Sequence, residues 1–83
     1  MDRQQVLELV NLVLANSGSA PVHDEDVPLR EAGFRSLDFS EVALRAEDIL
    51  GRDLNFEASA MRRIRTIRDV VDFFTEAAGA DAL

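Results

Sequence analysis

The stretch Gly33-Phe34-Arg35-Ser36-Leu37-Asp38-Phe39-Ser40-Glu41-Val42-Ala43-Leu44-Arg45-Ala46-Glu47-Asp48-Ile49-Leu50-Gly51 reads as a helix over residues 36–50. Gly51 stands where helices favour a left-handed residue. At about 100° per residue, Phe39, Val42, Ala43, Ala46, Ile49 and Leu50 gather on one side, the expected core face. Leu37, Glu41, Leu44 and Asp48 lie opposite. Two leucines on an acidic outer stripe are consistent with a contact surface, although isolated exposed leucines are common. Ala43 and Ala46 either leave room for a guest chain between helices or simply allow close packing.

Working outward, residues 4–16 form a second amphipathic helix. Val6, Leu9, Val10, Val13 and Leu14 share a face, with Leu12 at its edge and Gln4, Glu8 and Asn11 opposite. Asp2 caps its start, and Ser17-Gly18 ends it. Residues 17–35 make a long loop with one helical turn at Pro28-Leu29-Arg30-Glu31-Ala32, anchored by Leu29 and Phe34. Beyond Gly51, the expected inward residues are Leu54, Phe56, Met61 and Ile64, with a short helix around Glu57–Met61. Thr66-Ile67-Arg68-Asp69 has the form of a capping box opening a last helix over 66–78. There Ile67, Val70, Val71, Phe74 and Ala78 share a face, and Phe73 lies off it. The expected fold is a small all-α four-helix bundle with three main helices, one short helix and a long first loop. It fills one domain over residues 1–83, with 79–83 as a flexible tail.

Composition bounds the function. The chain has 83 residues, with 9 basic and 16 acidic side chains, a net charge of −7. That balance disfavours nucleic acid as a partner and favours a basic protein surface. All basic residues are Arg, so no Schiff-base lysine exists. There is no Cys and one His, which excludes disulfides, thiolate nucleophiles and multi-histidine metal sites. His23 reads as an ordinary loop residue, and Asp24-Glu25-Asp26 lacks the ligand spacing of a calcium loop. No catalytic constellation stands out, so a non-enzyme is expected. No apolar run reaches the roughly 20 residues of a membrane span, and the N-terminus lacks signal-peptide order. A soluble, cytoplasmic monomer is expected. Arg62, Arg63, Arg65 and Arg68 form a basic cluster, read as a solvated face pairing with nearby carboxylates.

Ser36 is the residue with chemistry. Its hydroxyl stands at the start of a helix, where a phosphate ester would be favourably placed. It is equally a good N-cap, in which role Ser36→Ala would cost about 1 kcal/mol.

The run Gly33-Phe34-x-Ser36-Leu37-Asp38-x-x-Glu41 resembles the modification site of acyl carrier proteins. The likeness extends to Pro28-Leu29, to Leu37 and Leu44, to Gly51 through Phe56, and to Ile64-x-Thr66-Ile67-x-Asp69-Val70-Val71-Asp72-Phe73. It implies that Ser36 receives a 4′-phosphopantetheine arm from coenzyme A. An acyl group would then be held as a thioester and shuttled between enzymes of a polyketide, fatty acid or related pathway. Partners would be a phosphopantetheinyl transferase and acyl-loading, condensing or modifying enzymes. They would be met by Arg35, Leu37, Asp38, Glu41, Leu44, Glu47 and Asp48. A peptidyl carrier loaded with an aminoacyl group is the alternative within the family. An unmodified helical interaction module is the alternative outside it. The family usually has Asp immediately before the modified serine, and here Arg35 reverses that charge. The reversal is compatible with a contact to the arm's phosphate, with an unusual transferase, or with weaker modification.

Overall fold

The computed structural model describes residues 1–54 and 58–79. Five helical segments follow one another: α1 (Arg3–Asn16), α2 (Leu29–Ala32), α3 (Ser36–Leu50), α4 (Ala58–Met61) and α5 (Ile67–Gly79). Three are long and two are single turns, so the expected all-α bundle is present, and no strand occurs among the described residues. The expected inward position of Phe56, the start of the short helix at Glu57 and the tail beyond Gly79 lie outside the described residues.

The helices start where their sequences carry caps. Asp2 accepts the Gln5 N–H at 2.9 Å, and the Gln5 side chain accepts the Asp2 N–H at 2.9 Å, closing a capping box on α1. At α5, the Asp69 carboxylate accepts the Thr66 N–H at 3.1 Å, and Thr66 Oγ1 accepts the Asp69 N–H at 3.3 Å. Asp69 also accepts the Arg65 N–H at 2.9 Å, and these bonds, led by the one from Arg65, hold its carboxyl below the ordinary aspartate value. Gly51 closes α3 at φ 72°, donating to the Glu47 carbonyl at 2.8 Å.

α1 packs against both α3 and α5, and α3 against α5. The core is the apolar stripe of each: Val6, Leu9, Val10, Val13 and Leu14 from α1; Phe39, Val42, Ala43 and Ala46 from α3; Ile67, Val70, Val71 and Phe74 from α5. Phe73, off that face, is half-buried and still meets Phe39 at 5.4 Å between ring centres. Two core expectations fail. Ile49 is 61% exposed, because it falls at the margin of the α3 stripe and only lines a shallow depression shared with Leu9 and Leu12 of α1. Met61 is 37% exposed on the one-turn α4 rather than inward.

The long loop is tied down at both ends. The Asn11 side chain exchanges two hydrogen bonds with the Val22 backbone, at 2.7 and 3.0 Å. An antiparallel bridge pairs Pro28 with Thr66, flanked by Leu29 N–H to the Arg65 carbonyl and Ile67 N–H to the Val27 carbonyl, each 3.0 Å. Arg3 bridges Glu25 and Asp72, joining α1, loop and α5. α2 then delivers the chain to α3 through Gly33, whose φ of 77° is left-handed. That backbone conformation is what favours glycine there, since the one close neighbour of an added Cβ, Ser19 Oγ at 2.8 Å, is the end of a side chain that can rotate away.

Candidate functional site

Arg35 has extended backbone, φ −114° and ψ 174°, and is the residue that precedes the first turn of α3. Ser36 is therefore the first helical residue and not its N-cap. The cap comes from downstream: Asp38 Oδ2 accepts the Arg35 N–H at 2.8 Å. Asp38 Oδ1 accepts a hydrogen bond from the Ser17 hydroxyl, at the end of α1, also at 2.8 Å. Asp38 is 5% exposed, so its expected role as a surface contact is corrected: one oxygen joins α3 to the end of α1 and the other holds the Arg35 N–H at the start of α3.

With Arg35 in the N-cap position, the Ser36 hydroxyl is left over. Ser36 is exposed, and its Oγ makes no hydrogen bond among the described residues. It opens on a cleft of about 320 Å³ lined by Leu29 of α2, Phe34, Arg35, Ser36, Phe39, Met61 and Ile64. Phe39 packs on the buried Phe74 with ring centres 5.0 Å apart, so this wall is continuous with the core. Met61 and Phe39 also border a neighbouring depression that reaches Ser40, Ala43 and Leu44. Ala46, by contrast, is wholly buried and serves close helix packing.

The outer face of α3 matches the pattern expected of it. Leu37 is 82% exposed and Leu44 64%. Asp48 is exposed, Glu41 is half-buried and paired with Arg45 at 3.1 Å, and Glu47 is half-buried with one oxygen accepting the Leu54 N–H at 2.8 Å. Leu44, Glu47 and Asp48 line one further depression at the end of the helix. Of the basic cluster, Arg68 pairs with Asp26 at 2.9 Å. Arg62 and Arg63 are exposed and form no ion pair among the described residues. The arginine cluster is thus only partly the paired face expected.

Sequence reasoning missed the bonds made by Ser17 and Asn11, and it placed Met61 inward rather than at the cleft. Ser17 and Asn11 act on residues 21 and 11 positions away, and neither neighbourhood carries a local signal. No group of His, Asp and Glu suited to a metal occurs among the described residues, and no described helix is long and apolar enough to cross a membrane.

Neither family models nor curated protein sequences match the chain. Two solved structures do. One is an acyl carrier protein from Thermotoga maritima, 23% identical, covering 96% of this chain and 94% of that one, with a TM-score of 0.69. The other is the acetyl actinorhodin acyl carrier protein from Streptomyces coelicolor, in solution, 21% identical, covering 100% of this chain and 95% of that one, with a TM-score of 0.70. The fold described above is shared with both over nearly their whole length.

Proposed function

We propose that the chain is an acyl carrier protein, in which Ser36 takes up a 4′-phosphopantetheine arm from coenzyme A and the protein hands an acyl group between enzymes of a polyketide, fatty acid or related pathway. The observation that carries this reading is the Ser36 hydroxyl itself. It is exposed, free of hydrogen bonds among the described residues, and open to an apolar cleft on a fold shared with two acyl carrier proteins. Ser36 is the first helical residue, with Arg35 in the N-cap position, so its hydroxyl is not placed to cap the first turn of α3.

The residues present fit the arm. Ser36 offers the hydroxyl, Arg35 a cation beside it, and Leu29, Phe34 and Phe39 an apolar wall. The arm, once attached, supplies a thiol on which an acyl group is held as a thioester. The chain's own residues carry and present and perform no catalysis. Leu37 and Leu44 give apolar contact area to a docking enzyme, and Glu41, Glu47 and Asp48 give it an acidic border. Complementary charge accelerates encounter more than it slows release, as a shuttle between successive enzymes requires. The transferase and the acyl-loading, condensing or modifying enzymes would meet this face through basic patches.

Arg35 favours one second reading, an interaction module with the same fold and no arm, because it reverses the charge usual beside the modified serine. One experiment separates the two: intact mass after incubation with coenzyme A and a promiscuous phosphopantetheinyl transferase, with fragment mapping of any adduct. A single arm on Ser36 is expected. A folded protein that takes no arm, even from a transferase of its own source organism, would establish the interaction module.

A further inference from the structure

We propose that Arg35 is a phosphate-holding residue: its guanidinium pairs with the phosphodiester on Ser36 and keeps it at the mouth of the apolar cleft. This rests on the reading of Ser36 as the attachment site. Arg35 and Ser36 are the only polar residues lining that cleft among the described residues, and Arg35 is the only charged one. Its side chain is exposed and forms no ion pair among the described residues.

The acidic residue one turn along, Asp38, is the natural competitor for that guanidinium. It is turned inward, with one oxygen on the Ser17 hydroxyl and the other on the Arg35 backbone N–H. Asp38 therefore fixes the Arg35 backbone without neutralising its side chain. The other cations are less well placed. Arg3, Arg45 and Arg68 are already paired with carboxylates, and Arg30, Arg52, Arg62, Arg63 and Arg65 do not line the cleft.

Arginine suits this task. Its planar fork presents two parallel N–H groups to two phosphate oxygens, and one side of the pair is an apolar wall that competes for neither. The contact remains open to water on its other side, so it is weak enough to break when an enzyme docks. At low salt Arg35 biases the phosphate towards the cleft by about fivefold, the scale of an exposed ion pair. Docking on Leu37 and Leu44, or added salt, releases it.

The test uses the chain loaded with the arm from coenzyme A, as wild type, Arg35→Ala and Arg35→Lys, each loading located on Ser36 by mass mapping. The readout is the phosphorus NMR shift and linewidth of the phosphodiester, referenced to the same loaded chain unfolded in denaturant. The wild-type signal is expected to be broadened and displaced from that reference. It should move towards the reference as salt rises to about 0.5 M, where screening lengths fall to a few ångströms. Arg35→Ala should sit near the reference at all salt concentrations, and Arg35→Lys in between, with helix content equal in all three. Loaded wild type and Arg35→Ala with coincident signals and salt responses would overturn the contact and leave the carrier reading intact. Absence of loading on Ser36 in every variant would overturn the carrier reading and this contact with it.

Discussion

The Ser17 hydroxyl donates a 2.8 Å hydrogen bond to Asp38 Oδ1, joining the end of α1 to the first turn of α3. Because the other Asp38 oxygen caps α3 through the Arg35 N–H, one buried carboxylate orients the whole segment that presents Ser36. Arg35 occupies the N-cap position without a side-chain hydrogen bond to the first turn, and the Ser36 hydroxyl beside it is unbonded among the described residues.

Asp38→Ala should accordingly destabilise the fold by about 1–3 kcal/mol, since it leaves the partly buried Ser17 hydroxyl and the Arg35 N–H without an acceptor. Denaturant unfolding measures this. A variant as stable as wild type but poorly recognised by the transferase would return Asp38 to the docking surface.

Ser36→Ala should behave in the opposite way. As the first helical residue with an unbonded hydroxyl, Ser36 contributes no cap, and Ala is the better helix former. Stability is expected within about 0.5 kcal/mol of wild type rather than the full cost of a lost N-cap, while loading by mass spectrometry disappears. A loss of about 1 kcal/mol or more in denaturant unfolding would mean that the hydroxyl is engaged after all.

Much of the fold was legible because its signals are local. The α1, α3 and α5 stripes repeat at helical spacing, and the Asp2–Gln5 and Thr66–Asp69 boxes are complete within four residues. Leu37 and Leu44 were legible for the same reason, as apolar residues on the wrong side of a regular stripe. Asp38 was misread because its deciding partner lies 21 residues upstream and no local pattern announces it. Ile49 was misread because a position at the edge of a stripe is buried only if a neighbouring helix covers it. Met61 was misread because apolar character alone does not separate a core residue from the rim of a cleft.

Leu44→Arg tests the outer face. Leu44 stands 64% exposed, so its replacement should change unfolding free energy by no more than about 0.5 kcal/mol. The expected loss is in docking, read as a raised transferase KM with little change in kcat. The added cation also weakens the negative field of Asp48 and Glu47 that a basic partner would meet, so the defect should exceed that of Leu44→Ala. Equal kinetics for wild type and both variants would remove this stripe from the interface.

The Asp69 carboxyl gives the pH dependence. Its acceptor bonds from the Arg65 and Thr66 N–H groups lower its folded value below the unfolded one. The unfolded state then binds the proton more readily, so this contribution to stability is fully present above the unfolded value of about 4. It is lost as pH falls through the lower folded value. Asp69→Asn keeps the shape and one acceptor but cannot ionise. It should be less stable than wild type at neutral pH, and the gap should close as the solution is acidified below about pH 4. Thermal unfolding of both proteins across that range measures the convergence. Parallel curves would show that the Thr66–Asp69 box stabilises α5 through geometry alone, with no contribution from the carboxylate charge.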